Sequence, residues 1–310
     1  MTKAVRFDHF GHVDVLNVIE VERPSASPGR VLVRVITAGT NPGEIAIREG
    51  KLEDKFPTTF PCGEGTDFAG IVAELGAGVT SPAVGTEVMG WSNERSSQAE
   101  FVSVPAEQVI VKPESLSWEV AGALFVVAAT AKAAVAAVAP QRRETVLVSG
   151  AAGGVGSLVT QVVLRTGATV VGTAGASRHD WLRSLGVIPV GYDTDLQASL
   201  SRMALDGFDA VIDTVGHGYV DLAIKLGVEP NRINTIIDFE AAAQHKVHTD
   251  GGSEAESPKT VLAEIAQLVA DGELQIPVAA VYDLDNVRQT YTQLEKGHTG
   301  GKIVLRVADP

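Results

Sequence analysis

The chain has 310 residues, 45% of them apolar and 20% charged, and a formal net charge of −13, which predicts a globular protein of two domains and excludes a disordered one. So acidic a surface repels nucleic acid and anionic membrane, so neither is an expected partner. A single cysteine, Cys62, excludes an intramolecular disulfide and a multi-thiolate zinc site, and Met1-Thr-Lys-Ala-Val-Arg-Phe7 carries no apolar signal core, so the expected compartment is the cytoplasm.

Residues 1 to 115 lack helical periodicity. Short β-rich runs, Ala4–Phe7, Val31–Val35, Gly70–Glu74, Glu87–Met89 and Ala99–Val102, are separated by Pro and Gly. Dense punctuation of this kind predicts a compact, barrel-like β domain. Asn41 to Arg48 reads as a loop leading into one helical turn.

The pattern changes at Ser117-Trp-Glu-Val120, a capped helix start. Val120 to Ala139 is nearly all apolar and about long enough to cross a bilayer. It is alanine-dominated, holds Lys132 and ends at Pro140, so it reads as a buried helix or helix pair flanking a sheet. Strands and helices then alternate: strand 145–149, helix 154–166, strand 169–173, helix 178–185, strand 188–191, a helix near 195–204, strand 210–213, helix 218–226 and strand 231–237. That is the order of an open parallel sheet with helices on both faces. Asp250 to Pro258 reads as a mobile connector, followed by helix 259–271, strand 277–281, helix 284–296 and strand 302–307.

Within this region Val146-Leu-Val-Ser-Gly-Ala-Ala-Gly-Gly-Val-Gly156 is a strand running into a glycine turn, and a helix and second strand follow at βαβ spacing. Such a turn lets the backbone approach a diphosphate, and the first helical turn supplies N–H donors and partial positive charge. Ala152, Gly153, Gly154, Val155 and Gly156 are the expected contacts. An NAD-binding chain places an acid at the end of the second strand, about 20 residues past the fingerprint. Here Ala174-Gly-Ala-Ser-Arg-His-Asp180 closes it, with Ser177 and Arg178 suited to a 2′-phosphate, so NADPH is the expected cofactor.

Several motifs together resemble the zinc-independent quinone oxidoreductases of the medium-chain dehydrogenase/reductase superfamily. They are Ala38–Glu44, Phe60–Val72, Ala99–Pro105, Ala129-Thr-Ala131, Ala151–Gly156 and Gly300–Leu305, in this order over nearly the whole chain. The resemblance implies a GroES-like β-rich catalytic domain (1–118 and 270–310) and a Rossmann, doubly wound α/β domain that binds NADP(H) (119–269). A homodimer is the family habit. Zinc members carry a catalytic Cys, a Gly-His-Glu stretch and a four-cysteine lobe. This chain has Gly65-Thr-Asp67 at the second and lacks the third. His245-Lys-Val-His248 reads as solvated, because no third ligand is near.

The implied reaction is hydride transfer from NADPH to a quinone or an α,β-unsaturated carbonyl, with donors needed for the growing oxyanion. By resemblance, Asn41 and Thr130 lie near the nicotinamide as catalytic and cofactor-binding residues. Asn41 has a second reading as a turn-former before Pro42, and Thr130 as a hydroxyl bonded to its own helical turn. Many members carry a Tyr where this chain has Ala46, which leaves water as a candidate proton source. Tyr192 resembles a residue at the 2′-phosphate end or is a surface Tyr. Val215 and Gly216 end the fourth strand. Asp238 and Phe239 end the fifth, where Phe239 covers the nicotinamide or merely packs. Lys302 reads as a solvated lysine on a strand edge, with contact to a phosphate as its second reading. Two other functions fit the same sequence: an NADPH-binding sensor or structural protein, and an enoyl-thioester reductase.

Overall fold

The computed structural model describes residues 1–192, 196–204, 206–252 and 257–310. They form two compact units, Met1–Val126 with Leu262–Glu273 and Pro277–Pro310, and Val127–Val261 with Leu274–Ile276. The chain is α/β, with a mixed sheet system in the first unit and a parallel sheet in the second.

The first unit begins with β1 (Thr2–Phe7), β2 (Asn17–Val21), β3 (Arg30–Gly39), α1 (Pro42–Arg48), β4 (Cys62–Gly63), β5 (Asp67–Leu75), β6 (Glu87–Trp91), β7 (Phe101–Pro105) and β8 (Val109–Val111). Sequence reading found neither β2 nor β8. β2 is largely exposed and β8 is three residues long, so neither carries a strong burial pattern. α1 runs for seven residues where one turn was expected, because Asn41 and Glu44 close a capping box around Pro42. Val31 and Val33 stand opposite Val104 and Val102, and these join Val35, Phe68, Val72, Val88 and Val109 in one core.

The apolar stretch after Ser117 is a helix pair, α2 (Trp118–Ala121) and α3 (Leu124–Val138), interrupted at Gly122 and Ala123. Ser117 caps α2 by accepting from the Val120 amide. No helix among the described residues is long and apolar enough to cross a membrane.

The second unit continues with β9 (Thr145–Val148), α4 (Gly154–Arg165), β10 (Thr169–Thr173), α5 (His179–Ser184), β11 (Ile188–Val190), α6 (Leu196–Met203), β12 (Ala210–Asp213), α7 (Tyr219–Lys225), β13 (Ile233–Thr235) and α8 (Phe239–His245). Its strands are parallel in the order β11-β10-β9-β12-β13, a doubly wound sheet whose direction of winding reverses between β9 and β12. Val146, Leu147 and Val148 are all buried, as expected of a parallel strand covered on both faces. The expected mobile connector lies partly outside the described residues, at 253–256, and so does the predicted start of α6 at 195.

The chain ends with α9 (Pro258–Ala270), β14 (Val278–Asp283), α10 (Val287–Glu295) and β15 (Lys302–Arg306). β15 lies between β14 and β3, antiparallel to β3, with Val304 opposite Gly39. The last strand therefore completes the sheet begun by residues 30–39, and Ile303 offers its carbonyl to the Thr40 amide and hydroxyl. This pairing carries Lys302 to Asn41.

Candidate functional site

The turn after β9 has the form a diphosphate needs. Gly150 has φ +60°, and its amide donates to Thr173 Oγ1 at 3.2 Å. A Cβ on Gly156 would stand 2.1 Å from the Gly150 carbonyl oxygen, so only glycine lets α4 start this close to the strand. Among the described residues the amides of Ala152, Gly154, Val155 and Gly156 have no acceptor. A helix start with free amides is an anion site by its own geometry. Gly153 caps α4 without a side chain, and nothing but the Gly150 carbonyl lies within 4 Å of its missing Cβ.

At the end of β10, Ala174 is buried and donates its amide to Val190. Gly175 opens onto free space, Ser177 is exposed, and Arg178 is half-buried. Among the described residues neither Ser177 nor Arg178 makes a side-chain hydrogen bond or ion pair. Tyr192 leans over the same strand end, its hydroxyl 3.5 Å from the Thr173 carbonyl. Burial raises the Tyr192 phenol above its ordinary value, and it raises the Tyr219 phenol to about 12. Tyr219 donates to Thr173 Oγ1 at 2.8 Å, so a buried phenol backs the hydroxyl that holds the glycine turn.

Val215 and Gly216 follow β12, and Gly216 has φ +77°. Asp238 caps α8 by accepting from the Ala241 amide at 3.2 Å, a structural task that sequence reading did not assign to it. Phe239 is 46% exposed and forms no aromatic pair among the described residues. Thr130 is 6% exposed on α3, yet its hydroxyl makes no bond to its own turn among the described residues. A Cβ on Gly252 would lie 3.1 Å from it.

The first unit holds a second, different arrangement. Asn41 is buried between charges. Its Nδ2 donates to Glu44 Oε1 and to Asp67 Oδ2, both at 3.1 Å, and its Oδ1 accepts from Lys302 Nζ at 2.5 Å. Both amide hydrogens are therefore engaged, and a bond to a substrate oxygen or ribose requires one to be exchanged. Glu44 accepts from the Asn41 amide, the Thr66 amide, Asn41 Nδ2 and the Tyr291 hydroxyl, the last at 2.6 Å. Asp67 accepts from the Val126 amide at 2.8 Å and lies 3.6 Å from Lys302 Nζ. Arg48 sits wholly buried, with one nitrogen 3.3 Å from Glu64 Oε2 and its guanidinium 4.8 Å from the Tyr291 ring centre.

Burial pushes Glu44, Glu64 and Asp67 above the ordinary carboxyl range, Glu64 to about 8. Tyr291 and Asn41 donate to Glu44 and oppose its shift, and Lys302 opposes that of Asp67. The donors around Glu44 and the Arg48 guanidinium beside Glu64 oppose these rises.

Lys302 overturns its expectation. It is 4% exposed, not solvated, because β15 inserts beside β3 and points the ammonium at Thr40 O, Asn41 and Asp67. Sequence reading also passed over Glu44, Glu64, Asp67, Tyr291 and Asp213. A usable signal existed for Asp67, an acid inside Gly65-Thr-Asp67 at a strand start, and for Asp213, an acid closing an apolar strand before Thr-Val-Gly216.

Among the described residues no group of three or more His, Cys, Asp or Glu could hold a metal ion. His245 pairs with Asp221 at 2.7 Å, and His248 lies 3.6 Å from Asp250.

Residues 27–114 match the profile described as alcohol dehydrogenase GroES-like domain, and residues 186–305 match that of zinc-binding dehydrogenase. The quinone oxidoreductase of Coxiella burnetii is similar over 99% of both chains, with a TM-score of 0.86 and 28% identity. Among curated relatives, 2-methylene-furan-3-one reductase of Solanum lycopersicum is 28% identical over 98% of this chain and 78% of its own length. NADPH-dependent alkenal/one oxidoreductase of Arabidopsis thaliana is 26% identical over 98% of this chain and 79% of its own. Polyketide synthase GfsB of Streptomyces halstedii is 32% identical over 96% of this chain, which spans only 5% of that protein. The chain belongs to the medium-chain dehydrogenase/reductase superfamily. It is an oxidoreductase of that superfamily, and its relatives include a quinone oxidoreductase and an alkenal/one oxidoreductase.

Proposed function

We propose that this chain binds NADPH and reduces a quinone or an α,β-unsaturated carbonyl without zinc. The observation that carries the cofactor assignment is the end of β10, where among the described residues the Arg178 guanidinium has no partner, stands beside open space and has no carboxylate against it. A 2′-phosphate matches that group, and a bare ribose does not need it. The name of the Arabidopsis relative supports NADPH, and the names of the tomato and Coxiella relatives support an enone or quinone as substrate.

When bound, the cofactor supplies the hydride. The amides of Ala152, Gly154, Val155 and Gly156 hold the diphosphate, and Ser177, Arg178 and Tyr192 take the 2′-phosphate end. The Thr130 hydroxyl, unbonded among the described residues, fixes the carboxamide. Asn41 exchanges its Asp67 bond for the substrate oxygen, which leaves Asp67 to the Lys302 ammonium. Water delivers the proton that completes the reduction. A second reading, reduction of an enoyl thioester, is favoured by the likeness to part of a polyketide synthase.

NADPH oxidation with 9,10-phenanthrenequinone, a simple enone and an enoyl thioester, run side by side, tests the substrate. Turnover of the thioester alone selects the second reading. Tight binding with no turnover of any acceptor makes the chain a sensor or structural protein. Arg178→Ala is expected to weaken NADPH by about ten- to a hundred-fold, the loss of a charge-assisted hydrogen bond, and to leave NADH nearly unchanged. Equal losses would remove the 2′-phosphate assignment.

A further inference from the structure

Asp213 is the last residue of β12 and has no exposed surface. Among the described residues no Lys, Arg or His pairs with it. Instead it accepts from Ser149 Oγ at 2.6 Å, from the Val215 and Gly216 amides at 3.0 Å, and from Thr235 Oγ1 at 2.8 Å. The two hydroxyls that face it are themselves acceptors. Ser149 Oγ takes the Thr214 amide at 2.8 Å, and Thr235 Oγ1 takes the Ile237 and Asp238 amides at 3.3 and 3.0 Å. One carboxylate thus ties together the end of β9, the loop 214–216 and the loop 236–238. Such a group is costly to bury, and its remaining partners all lie at the carboxyl edge of the sheet.

The sheet order says which half of a dinucleotide these loops meet. Winding reverses between β9 and β12, and a dinucleotide straddles that point. The glycine turn follows β9, and Arg178 follows β10. The adenosine half therefore belongs on the β9–β10 side, and the nicotinamide half on the β12–β13 side. Asp213 stands behind both loops of the second side and behind nothing on the first except Ser149.

We propose that Asp213 is a positioning residue for the nicotinamide half of the cofactor, acting through the loops 214–216 and 236–238. The inference rests on the NADPH reading above. Asp213→Asn keeps the volume but replaces one acceptor oxygen by an NH2 group, which opposes the donors already aimed at it. Thr235→Val removes only the hydroxyl link to the 236–238 loop.

The test is calorimetric titration of wild type and both variants with NADPH and with adenosine 2′,5′-bisphosphate, which carries the adenosine phosphates and no nicotinamide. Thermal melts run in parallel check folding. For Asp213→Asn the expected result is at least a ten-fold rise in Kd for NADPH, with the bisphosphate within two-fold of wild type. For Thr235→Val the expected rise is at least three-fold, again for NADPH alone. A general structural role would weaken both ligands together, and that result, or no change for either, overturns the inference. If Asp213→Asn does not fold, Thr235→Val decides by the same criterion. Wild type that binds neither ligand would instead overturn the NADPH reading itself.

Discussion

The turn after β9 presents amides that have no acceptor among the described residues, whereas the cluster around Asp67 has its acids and bases matched to one another. One region is incomplete alone and the other is nearly self-satisfied. The first is made by backbone within a few consecutive residues. The second is made by side chains from α1, β5, α10 and β15, drawn from both ends of the chain. The two regions therefore differ in what they leave unbonded, and their variants fail in different ways.

The largest effect is expected at the Asp67 cluster. Lys302→Met removes one partner of the buried pair with Asp67 and leaves a carboxylate uncompensated, which destabilises by about 3–5 kcal/mol. Chemical denaturation measures it. A loss within error of zero would mean that the ammonium is not integral to the fold, and the contrast drawn above would collapse.

Gly156→Ala comes next. Its Cβ meets the Gly150 carbonyl, so α4 must shift, at about 1–3 kcal/mol of stability. NADPH binding should fall further than that figure alone implies, because the shift moves every free amide of the turn. Unchanged NADPH affinity in a folded variant would show that the diphosphate does not rest there.

The third effect is a slope instead of a step. Burial raises Glu64 to about 8, whereas an unfolded glutamate titrates near about 4.3. Between these values the folded chain holds a proton that the unfolded chain has released. The stability from this group is full below the lower value and is lost as pH rises through about 8, at no more than about 1.4 kcal/mol per pH unit. Glu64→Gln should flatten the melting temperature measured from pH 5.5 to 8.5. Parallel slopes for the two proteins would place the titrating acid elsewhere in the cluster.

The glycine turn was legible because its signal is local. Val146 to Gly156 gives strand, turn and helix start in one reading, and the missing acid after Thr173 is visible by position alone. The Asp67 cluster was not legible. Lys302 follows two glycines and precedes an apolar run, which reads as a wet strand edge until β15 is known to lie beside β3. Asn41 was singled out, but its three charged neighbours stand 3, 26 and 261 residues away. Nothing in the local pattern brings them together. Asp238 was placed at a ligand, and its capping of α8 needed only the spacing to Ala241, a signal that could have been weighed.

The insertion of β15 between β14 and β3 also sets an order of events during synthesis. A ribosome emits about 5–20 residues each second, so the parallel sheet of the second unit is available while the first unit still lacks its inner strand. Until residues 302–306 emerge, Asp67 has no ammonium beside it and the flank of β3 that faces β15 stands open. A strand laid down early is sealed only by one laid down more than 250 residues later, and a chaperone guarding nascent chains would find a long-lived target there.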